Sequence, residues 1–453
     1  MTKQSPEGVK ISLLGLVTSV SSRLFDLIKK EASIVVDIRT DLLTFFQAAL
    51  DSVEGRYVVA KVLPTILNQQ LQSSERTDMQ IVSIGKAAEA MLQGALTCLV
   101  EGQNDSLLIS KSGHISLESH LASNITCIES AHPVPDKTSL SAGKKLIEFL
   151  RTSQAPCLFL ISGGTSSLVE VLDEKWSLLE LRELTQWMLA NAYSIKQINA
   201  VRSSVSKIKA GGLWDYLSNR KVICLMISDV PQDDASVIGS GLLFPEKNQV
   251  NEQAIPKSLP ERWKQKLSLE RKPKAHPDFY SQIIATNKCA RQAAAKRAIE
   301  QGYSVKTIEQ LQEGNAVDVA KDCVQVLKDN PNTVIIWGAE TTVVLSENPG
   351  VGGRNQHLAL AAAIELEGEK NTYVLSAGTD GTDGLTDDAG AIVDGNTLAR
   401  ASLEGEHAEK SLRAADSGTY LCASGDLIST GITGTNVMDL IIGYQDTRSD
   451  SEN

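Results

Sequence analysis

The chain has 453 residues, of which 42% are hydrophobic, and its 55 acidic residues outnumber its 44 basic residues for a formal net charge of −11. This length suits two domains with sizeable cores, possibly three. The acidic balance disfavours a general nucleic-acid or membrane-surface role, because attraction to phosphates needs a basic face, but it leaves room for a local basic pocket.

The cysteine and targeting signals point to a reducing compartment. None of the seven cysteines forms a C-x-x-C pair, and the six histidines show no zinc-ligand spacing. No apolar run in the sequence is long enough to span a membrane, and the acidic Glu7 argues against a secretory signal. We therefore expect a cytoplasmic protein that binds neither nucleic acid nor membranes, with a matrix location as the alternative.

Short apolar runs alternate with helical patterns along most of the chain. The pattern of residues 1–38 predicts an amphipathic extension, and from residue 40 apolar side chains recur near the 3.6-residue period of a helix. The predicted strands lie at 80–84, 157–161, 222–227, 283–285, 333–337 and 373–375. Strand, polar loop and helix in repetition indicate parallel α/β sheets, in which ligands bind beyond the carboxyl ends of the strands.

A change of composition predicts where the domains divide. Residues 245–278 are rich in Lys, Pro and Glu and have a weak apolar pattern. We expect an N-terminal domain at 39–260, a C-terminal domain at 275–445 and a polar tail at 446–453.

Two polar loops that follow predicted strands are candidate anion sites. Lys86, after Gly85, lies at the start of a helix and opposes the helix dipole, so a bound anion would offset its charge; a solvated lysine is the alternative. Residues 162–167 (S-G-G-T-S-S) combine backbone N–H groups with hydroxyls in a form that suits phosphate, or they form a tight turn. They match neither the Walker A nor the G-x-G-x-x-G motif.

Two further loops of the first half concentrate charge. Arg202, Lys207 and Lys209 could bind a carboxylate or a phosphate, or they form a solvated helix face. Residues 228–234 end a strand with three carboxylates, one of which could ligate magnesium or accept a hydroxyl proton.

Glycine-rich loops recur in the second half. Residues 338–342 precede residues 352–356, where Arg354 beside two glycines can present its guanidinium to phosphate or carboxylate. Residues 376–394 hold five aspartates and four glycines, and clustered carboxylates repel one another unless a cation or a catalytic task offsets the repulsion; a turn is the alternative. Residues 429–436 suit phosphate or base recognition, or a turn. Together these loops supply cations, carboxylates and glycine turns, which phosphoryl transfer requires.

Nine short motifs in this order match one known family. They are I-G-K-A-A at 84–88, A-H-P-V-P-D at 131–136, L-I-S-G-G at 160–164, N-A-V-R at 199–202, S-D-V-P at 228–231, G-A-E-T-T at 338–342, G-G-R-N-Q at 352–356, G-T-D-G-T-D-G at 378–384 and T-G-T-N-V at 433–437. The chain thus resembles the glycerate 2-kinase family, whose carboxy-terminal half is called the MOFRL domain. The resemblance covers about residues 40–445.

The resemblance implies a fold and a reaction. It implies two three-layer α/β/α domains, a Rossmann-like N-terminal domain and a smaller MOFRL-type C-terminal domain, with the active site in the cleft between them. It implies ATP- and magnesium-dependent phosphorylation of D-glycerate at the 2-hydroxyl. Glycerate and ATP are then the only expected partners, and a homodimer stays open.

The resemblance also implies roles for individual residues. Lys86, Arg354 and Asp380 look like the family's catalytic lysine, arginine and carboxylate, and Asp229 resembles another cleft carboxylate. Asp229 or Asp380 would bind magnesium or take the hydroxyl proton. The expected substrate contacts are Arg202 and Ser162. The expected nucleotide contacts are Gly163, Gly164, Thr165, Ser166, Glu340, Thr341 and Asn355.

Four positions depart from the family pattern. Thr165 and Gln232 stand where the family usually has glycine, His357 replaces glutamate, and Ile432 replaces proline. A β-branched side chain cannot replace a glycine that needs positive φ, so nucleotide affinity or substrate choice is open to change.

Two alternatives to a kinase stay open. A hydroxypyruvate reductase, a label sometimes attached to this family, is disfavoured because no G-x-G-x-x-G with a ribose-binding acid follows a strand. A non-catalytic nucleotide-binding homologue is favoured slightly by the substituted loops and disfavoured by the presence of Lys86, Arg354 and Asp380.

Overall fold

A computed structural model describes residues 37–448, except 73, 74, 76, 77, 100–103, 192, 194, 246–254, 268–277, 346 and 347. The predicted extension at 1–38 therefore lies almost wholly outside the described residues, as does most of the tail at 446–453. Within the described ranges, no helix combines the length and the apolar character that a membrane crossing requires.

The first sheet of the described chain has six parallel strands in the order β3-β2-β1-β4-β5-β6. The strands are β1 (Gln80–Ile84), β2 (Ser106–Lys111), β3 (Ile125–Ser130), β4 (Cys157–Ile161), β5 (Val222–Ile227) and β6 (Phe279–Ala285). The central strands β1, β4 and β5 are buried throughout, which explains why they are continuous apolar runs rather than alternating ones. Because all strands run the same way, their carboxyl ends meet at one edge.

Helices cover both faces of this sheet, so the first domain has three layers. Ile81 packs in a core with α2 and α3, whereas its neighbour Val82 packs in the opposite core with α5. In chain order, the described helices before β6 are α1 (Ile38–Val53), which packs on the second domain, and α2 (Gly55–Gln70), α3 (Ala88–Leu96), α4 (Leu117–Leu121), α5 (Lys137–Arg151), α6 (Thr165–Leu168), α7 (Leu178–Ala190), α8 (Ile195–Val205) and α9 (Glu261–Lys264), with 3-10 turns at Gly212–Tyr216 and Ile238–Ser240.

The second sheet is mixed, so the prediction of a parallel sheet is wrong for the C-terminal domain. Its strands are β7 (Ser304–Thr307), β8 (Gln312–Asn315), β9 (Thr333–Thr342), β10 (Thr372–Gly378), β11 (Gly390–Asp394), β12 (Leu427–Ile428) and β13 (Asp439–Gln445). Their order is β12-β11-β10-β13-β9-β7, with β8 also paired to β9. Strand β10 pairs antiparallel with β11 and β13, and β13 pairs antiparallel with β9, so the parallel pairs of the described sheet are those of β7 and β8 with β9. The loop from β10 to β11 holds no helix, whereas the crossover of a parallel pair usually contains one.

Helices also cover both faces of the second sheet. Helices α11 (Ala316–Asp329) and α12 (Arg354–Glu365) pack on one face, and α10 (Asn287–Glu300) packs on the other. Three short helices, α13 (Thr397–Ser402), α14 (Ala408–Arg413) and α15 (Ser417–Ser424), complete this half. Two three-layer α/β domains are thus confirmed.

The sheets divide the chain differently from the predicted ranges 39–260 and 275–445. Strand β6 hydrogen-bonds to β5 and completes the first sheet. Helix α1 packs against α10, and Arg39 at its start donates to Asp394 and Asp426 of the second domain. The first described helix therefore packs on the second domain, the following elements up to β6 form the first domain, and the rest of the described chain forms the second. An apolar stripe predicts that a helix packs, but not against which sheet.

Candidate active site

A cleft of about 650 Å³ separates the two domains at the carboxyl edge of the first sheet. The first domain contributes Lys86, His132, Gly164 and Asp229 to its lining, and the second contributes Glu340, Thr341, Arg354, Asn355, Asp380, Asp383, Asn436 and Asp439. The volume suits a small molecule of several functional groups. The structure thus brings most of the predicted site residues into one cavity.

Lys86 joins the two domains across this cleft. Its Nζ atom donates to Oδ2 of Asp380 at 2.6 Å. The turn that carries it is held from β4, since the Lys86 N–H donates to the Gly163 carbonyl and the Ala87 N–H donates to Oγ of Ser162. Burial works to raise the pKa of Asp380, but the Lys86 ammonium and the hydrogen bonds from Thr382 outweigh it and hold that pKa below its usual value. Asp380 is therefore ionised at neutral pH.

Asp229 follows β5 and has a different environment. Burial raises the pKa of Asp229, against the lowering effect of nearby Lys86. Gly163 packs directly against it, because a Cβ at that glycine would lie 2.3 Å from Oδ2 of Asp229 and 2.2 Å from Nδ2 of Asn436. Gly163 thus permits the close approach of the β4 loop, and it acts on the site through packing.

Arg354 at the start of α12 is held between two carboxylates. Its guanidinium donates to both carboxylate oxygens of Glu340, at 2.6 and 2.9 Å, and to both oxygens of Asp439. Burial and the neighbouring Asp439 raise the pKa of Glu340, and Asp439 in turn raises the pKa of Arg354 although burial works to lower it. Most of the guanidinium donors are therefore occupied before a ligand binds.

Asp383 fixes the start of α12. One of its oxygens accepts from the Asn355 N–H at 3.1 Å and the other accepts from the Gln356 N–H at 2.7 Å, while burial raises the pKa of Asp383 to about 7. The Asn355 side chain also donates to Asp383 and accepts from Oγ of Ser376. Asn355, a predicted nucleotide contact, thus lines the cleft but uses its amide within the fold.

The predicted phosphate loop turns its hydroxyls away from the cleft. Ser162 and Thr165 are fully buried, and Oγ1 of Thr165 donates to the carbonyls of Ile84 and Ser162. Ser166 shares a hydrogen bond with Ser240, and the helix that follows, α6, has only four residues. Only Gly164 of this loop lines the cleft. This differs from the predicted contacts between Ser162, Thr165 or Ser166 and a ligand.

Arg202 also lies away from the cleft lining. It is on α8, beside the fully buried ion pair of Lys209 and Glu170, whose charged atoms are 2.5 Å apart. In the described part of the chain, its buried Nη2 atom has no hydrogen-bond partner. Of the cations predicted here as an anion site or a solvated face, Lys209 is buried and Arg202 nearly so, whereas Lys207 is partly exposed and pairs with Glu174. The expected contact of Arg202 with substrate stays a prediction.

The four departures from the family pattern cause no left-handed backbone strain. Thr165, Gln232, His357 and Ile432 are all absent from the described non-glycine residues with positive φ. Nδ1 of His357 instead shares a hydrogen bond with Ser417 inside the second domain. At Thr165, the one β-branched residue that stands in place of a glycine, the expected conflict with a positive φ is therefore wrong.

Three lining residues were missed by the sequence analysis. His132 lies within a quoted motif without a role; burial and nearby Lys86 lower its pKa to about 3, so the ring is neutral. Asp439 lies two residues after the T-G-T-N-V motif, and Asp383 belongs to the aspartate-rich loop. A lone acid at the start of a strand carries no local signal, so Asp439 could be found only from the fold.

The donor set fits magnesium that binds together with phosphates. The cleft offers carboxylate oxygens, the hard ligands that magnesium prefers. Within the described ranges, no group of three or more His, Cys, Asp or Glu is placed to hold an ion by itself. Magnesium commonly takes one or two carboxylates from the protein and completes its shell with substrate oxygens and water. Carboxylates in the cleft without a preformed set of three ligands therefore fit a magnesium ion that arrives with the phosphates.

Comparison with known proteins gives matches over both domains. Residues 41–266 match the family described as Domain of unknown function (DUF4147), and residues 333–439 match the MOFRL family. A D-glycerate 2-kinase from Thermotoga maritima is 35% identical over 380 residues, which cover 80% of this chain and 89% of that protein. A protein from Agrobacterium vitis, provisionally named a hydroxypyruvate reductase, is 30% identical over 423 residues, which cover 89% and 94%. A crystal structure of a glycerate kinase from Thermotoga maritima has a TM-score of 0.76 and 32% identity, covering 90% of this chain and 99% of that one.

Proposed function

The chain belongs to the glycerate 2-kinase family, and we propose that it transfers the γ-phosphoryl group of ATP to the 2-hydroxyl of D-glycerate. The products are ADP and 2-phosphoglycerate. The observation that carries this proposal is the Lys86–Asp380 ion pair, which places a cation from one domain and a carboxylate from the other within a single cleft. Phosphoryl transfer depends on such positioned charge rather than on covalent chemistry by the protein.

Lys86 supplies the mobile positive charge. When the triphosphate enters, the Lys86 ammonium can move from Asp380 to the oxygens of the transferring group, where negative charge develops. Arg354 is the second cation, but Glu340 and Asp439 already hold it. Arg354 therefore acts through its remaining donor capacity and by keeping both carboxylates in place. Gly164, Thr341 and Asn355 lie beside the path of the phosphates as lining groups.

Asp229 is the better of the two candidate bases. A carboxylate whose pKa is raised binds a proton more readily, and Asp229 has a raised pKa whereas Asp380 has a lowered one. The glycerate 2-hydroxyl oxygen bonds to the γ-phosphorus, the bond from that phosphorus to the bridging oxygen of ADP breaks, and the hydroxyl proton passes to Asp229.

With Asp229 as the base, Asp380 is the side chain that would hold magnesium. Asp380 is ionised and close to Lys86, so it remains an anionic oxygen donor at neutral pH. When bound, magnesium neutralises charge on the β- and γ-phosphate oxygens. The predicted contacts of Ser162 and Arg202 with glycerate are not needed for these roles.

A coupled assay tests the proposal. Purified protein receives ATP, magnesium and D-glycerate, and ADP release is followed; parallel reactions contain hydroxypyruvate with NADH or NADPH. We expect ADP release only when glycerate is present, and no oxidation of the nicotinamide. Oxidation without ADP release would support a reductase. If neither ADP release nor nicotinamide oxidation occurs while ATP still raises the Tm, the protein is a non-catalytic nucleotide-binding homologue.

A further inference from the structure

A second cavity of about 350 Å³ adjoins the main cleft. It shares Lys86 with the cleft, and its other lining residues are different. It lies where α3 and the loop after β2 in the first domain meet residues 432–434 of the second domain. Its volume falls within the range of small-ligand sites.

The acidic lining of this cavity disfavours the anionic groups of the two substrates. Glu54 and Glu89 line it, and its only lysine, Lys86, is paired to Asp380. Oε1 of Glu89 accepts three hydrogen bonds, from the N–H and hydroxyl of Ser116 and from the hydroxyl of Ser119. An acidic lining repels a phosphate or a hydroxy-acid carboxylate. It suits a neutral group that donates hydrogen bonds.

One ring nitrogen of a buried histidine in the same lining lacks a hydrogen-bond partner in the described chain. His114 is 8% exposed, and within the described ranges its Nδ1 atom has no hydrogen-bond partner. Burial and the nearby Lys111 and Lys86 lower the pKa of His114, so its ring is neutral at neutral pH. Because that atom is itself enclosed by protein, His114 contributes a neutral ring to the wall of the cavity and adds no charge to its lining.

Two isoleucines give the cavity its apolar surface. Ile115 is nearly buried, whereas Ile432, on the loop predicted to suit base or phosphate recognition, is 55% exposed. When a ligand covers a large apolar side chain at the rim of a cavity, apolar surface is removed from water, which stabilises the complex. A flat, uncharged ring with polar edges satisfies both this surface and the polar groups.

We propose that this second cavity binds the adenosine part of ATP, with the phosphates passing Lys86 into the main cleft. Adenine presents a donor and an acceptor on adjacent edge atoms, which match the polar lining, and ribose hydroxyls donate to carboxylates such as Glu54. This inference rests on the proposed kinase function. It explains why one lysine borders both cavities, since the phosphate nearest the nucleoside must cross from the acidic cavity to the cationic position.

Two variants test the location of the nucleoside. Ile432→Ala removes an exposed apolar contact without disturbing a core, and Gln93→Trp fills the cavity from α3. We expect each to raise KM for ATP and to weaken binding of a fluorescent N-methylanthraniloyl-ADP roughly tenfold, with KM for glycerate and the binding of inorganic tripolyphosphate unchanged. Leu403→Ala is the matched control, because Leu403 is 87% exposed and lines neither cavity. It should leave all four quantities unchanged.

Leu385→Ala tests the competing location. Leu385 is 98% exposed and lies at the rim of the main cleft. If this variant weakens ADP binding while Ile432→Ala and Gln93→Trp do not, the nucleoside binds in the main cleft and the inference is overturned. If the wild-type protein binds ADP but shows no turnover, and the Gln93→Trp variant binds ADP more weakly, the cavity assignment stands and the kinase proposal fails. Absence of both turnover and ADP binding overturns both.

Discussion

Lys86 connects the chemistry of the cleft to its structure. Its side chain reaches Asp380 on the second domain, while its backbone is hydrogen-bonded to Gly163 on the first. The ammonium is thus already in the cleft, and in the proposed reaction it leaves Asp380 when the triphosphate binds, before the transition state forms. A positioned charge costs no reorganisation when the transition state forms, which is the main source of its effect on rate.

Removal of this charge gives the most direct test at the residue scale. Lys86→Ala should lower kcat for ADP release about 100-fold or more, because a transition-state contact is lost. Steady-state kinetics measures the change. Lys296→Ala, which removes an exposed lysine on α10, is the control and should behave like wild type. Near-normal turnover of Lys86→Ala would contradict the role of Lys86.

The raised pKa of Asp229 predicts a pH dependence. The base must be ionised to accept the hydroxyl proton, so kcat/KM should fall as pH is lowered through the pKa of Asp229, which lies above that of an ordinary aspartate. Asp229→Glu should keep an acidic limb in the pH profile. Asp229→Asn should lose about 100-fold in rate and lose that limb. An unchanged profile in Asp229→Asn would exclude Asp229 as the base.

At the scale of elements, the loops after the strands set the positions of the charged groups. The loop after β10 supplies Asp380 to the cleft and Asp383 to the start of α12, which in turn carries Arg354. One glycine-rich loop therefore positions both catalytic candidates of the second domain. Its aspartates are not equivalent, since one binds a cation and the other caps a helix.

Loss of the cap should be measurable as stability. Asp383→Ala leaves two buried N–H groups of α12 without an acceptor, so we expect unfolding free energy to fall by about 1–3 kcal/mol. Thermal or urea unfolding gives the value. Asp387→Ala, in the same loop but exposed, should unfold like wild type. Equal effects of the two substitutions would show that capping by Asp383 contributes nothing.

At the scale of the whole molecule, helix α1 belongs to the second domain although it precedes the first in sequence. Arg39 donates to Asp394, Asp426 and the carbonyl of Ile392, and Arg400 binds the same two aspartates. The chain thus crosses between domains on both sides of the first domain. Two connections restrict how the cleft can open and close.

Arg39→Ala should loosen α1 without touching the chemistry. Charged hydrogen bonds contribute about 1.5–3 kcal/mol, so we expect a lower Tm and faster amide exchange in residues 38–53. The turnover of the folded protein should stay close to wild type. Arg56→Ala, an exposed arginine on α2, is the control. Unchanged exchange in α1 would mean that apolar packing alone holds the helix.

Local patterns were sufficient for much of the molecule. Buried parallel strands are continuous apolar runs, so the core strands of the first sheet could be predicted at 80–84, 157–161 and 222–227. The glycine and charged residues that follow them carried the family resemblance, and Lys86, Asp229, Arg354 and Asp380 do meet in one cleft. These features depend on residues close in sequence.

The tertiary structure alone decided how these groups are paired. Nothing near Arg354 in sequence indicates that Asp439 holds it, or that the hydroxyls of Ser162 and Thr165 face inward. The same limit hid the antiparallel strands of the second sheet and the position of α1. Hydrogen-bond partners and burial depend on residues that are far apart in sequence, so the sequence determined which chemical groups are present and the fold determined which of them remain available to a ligand.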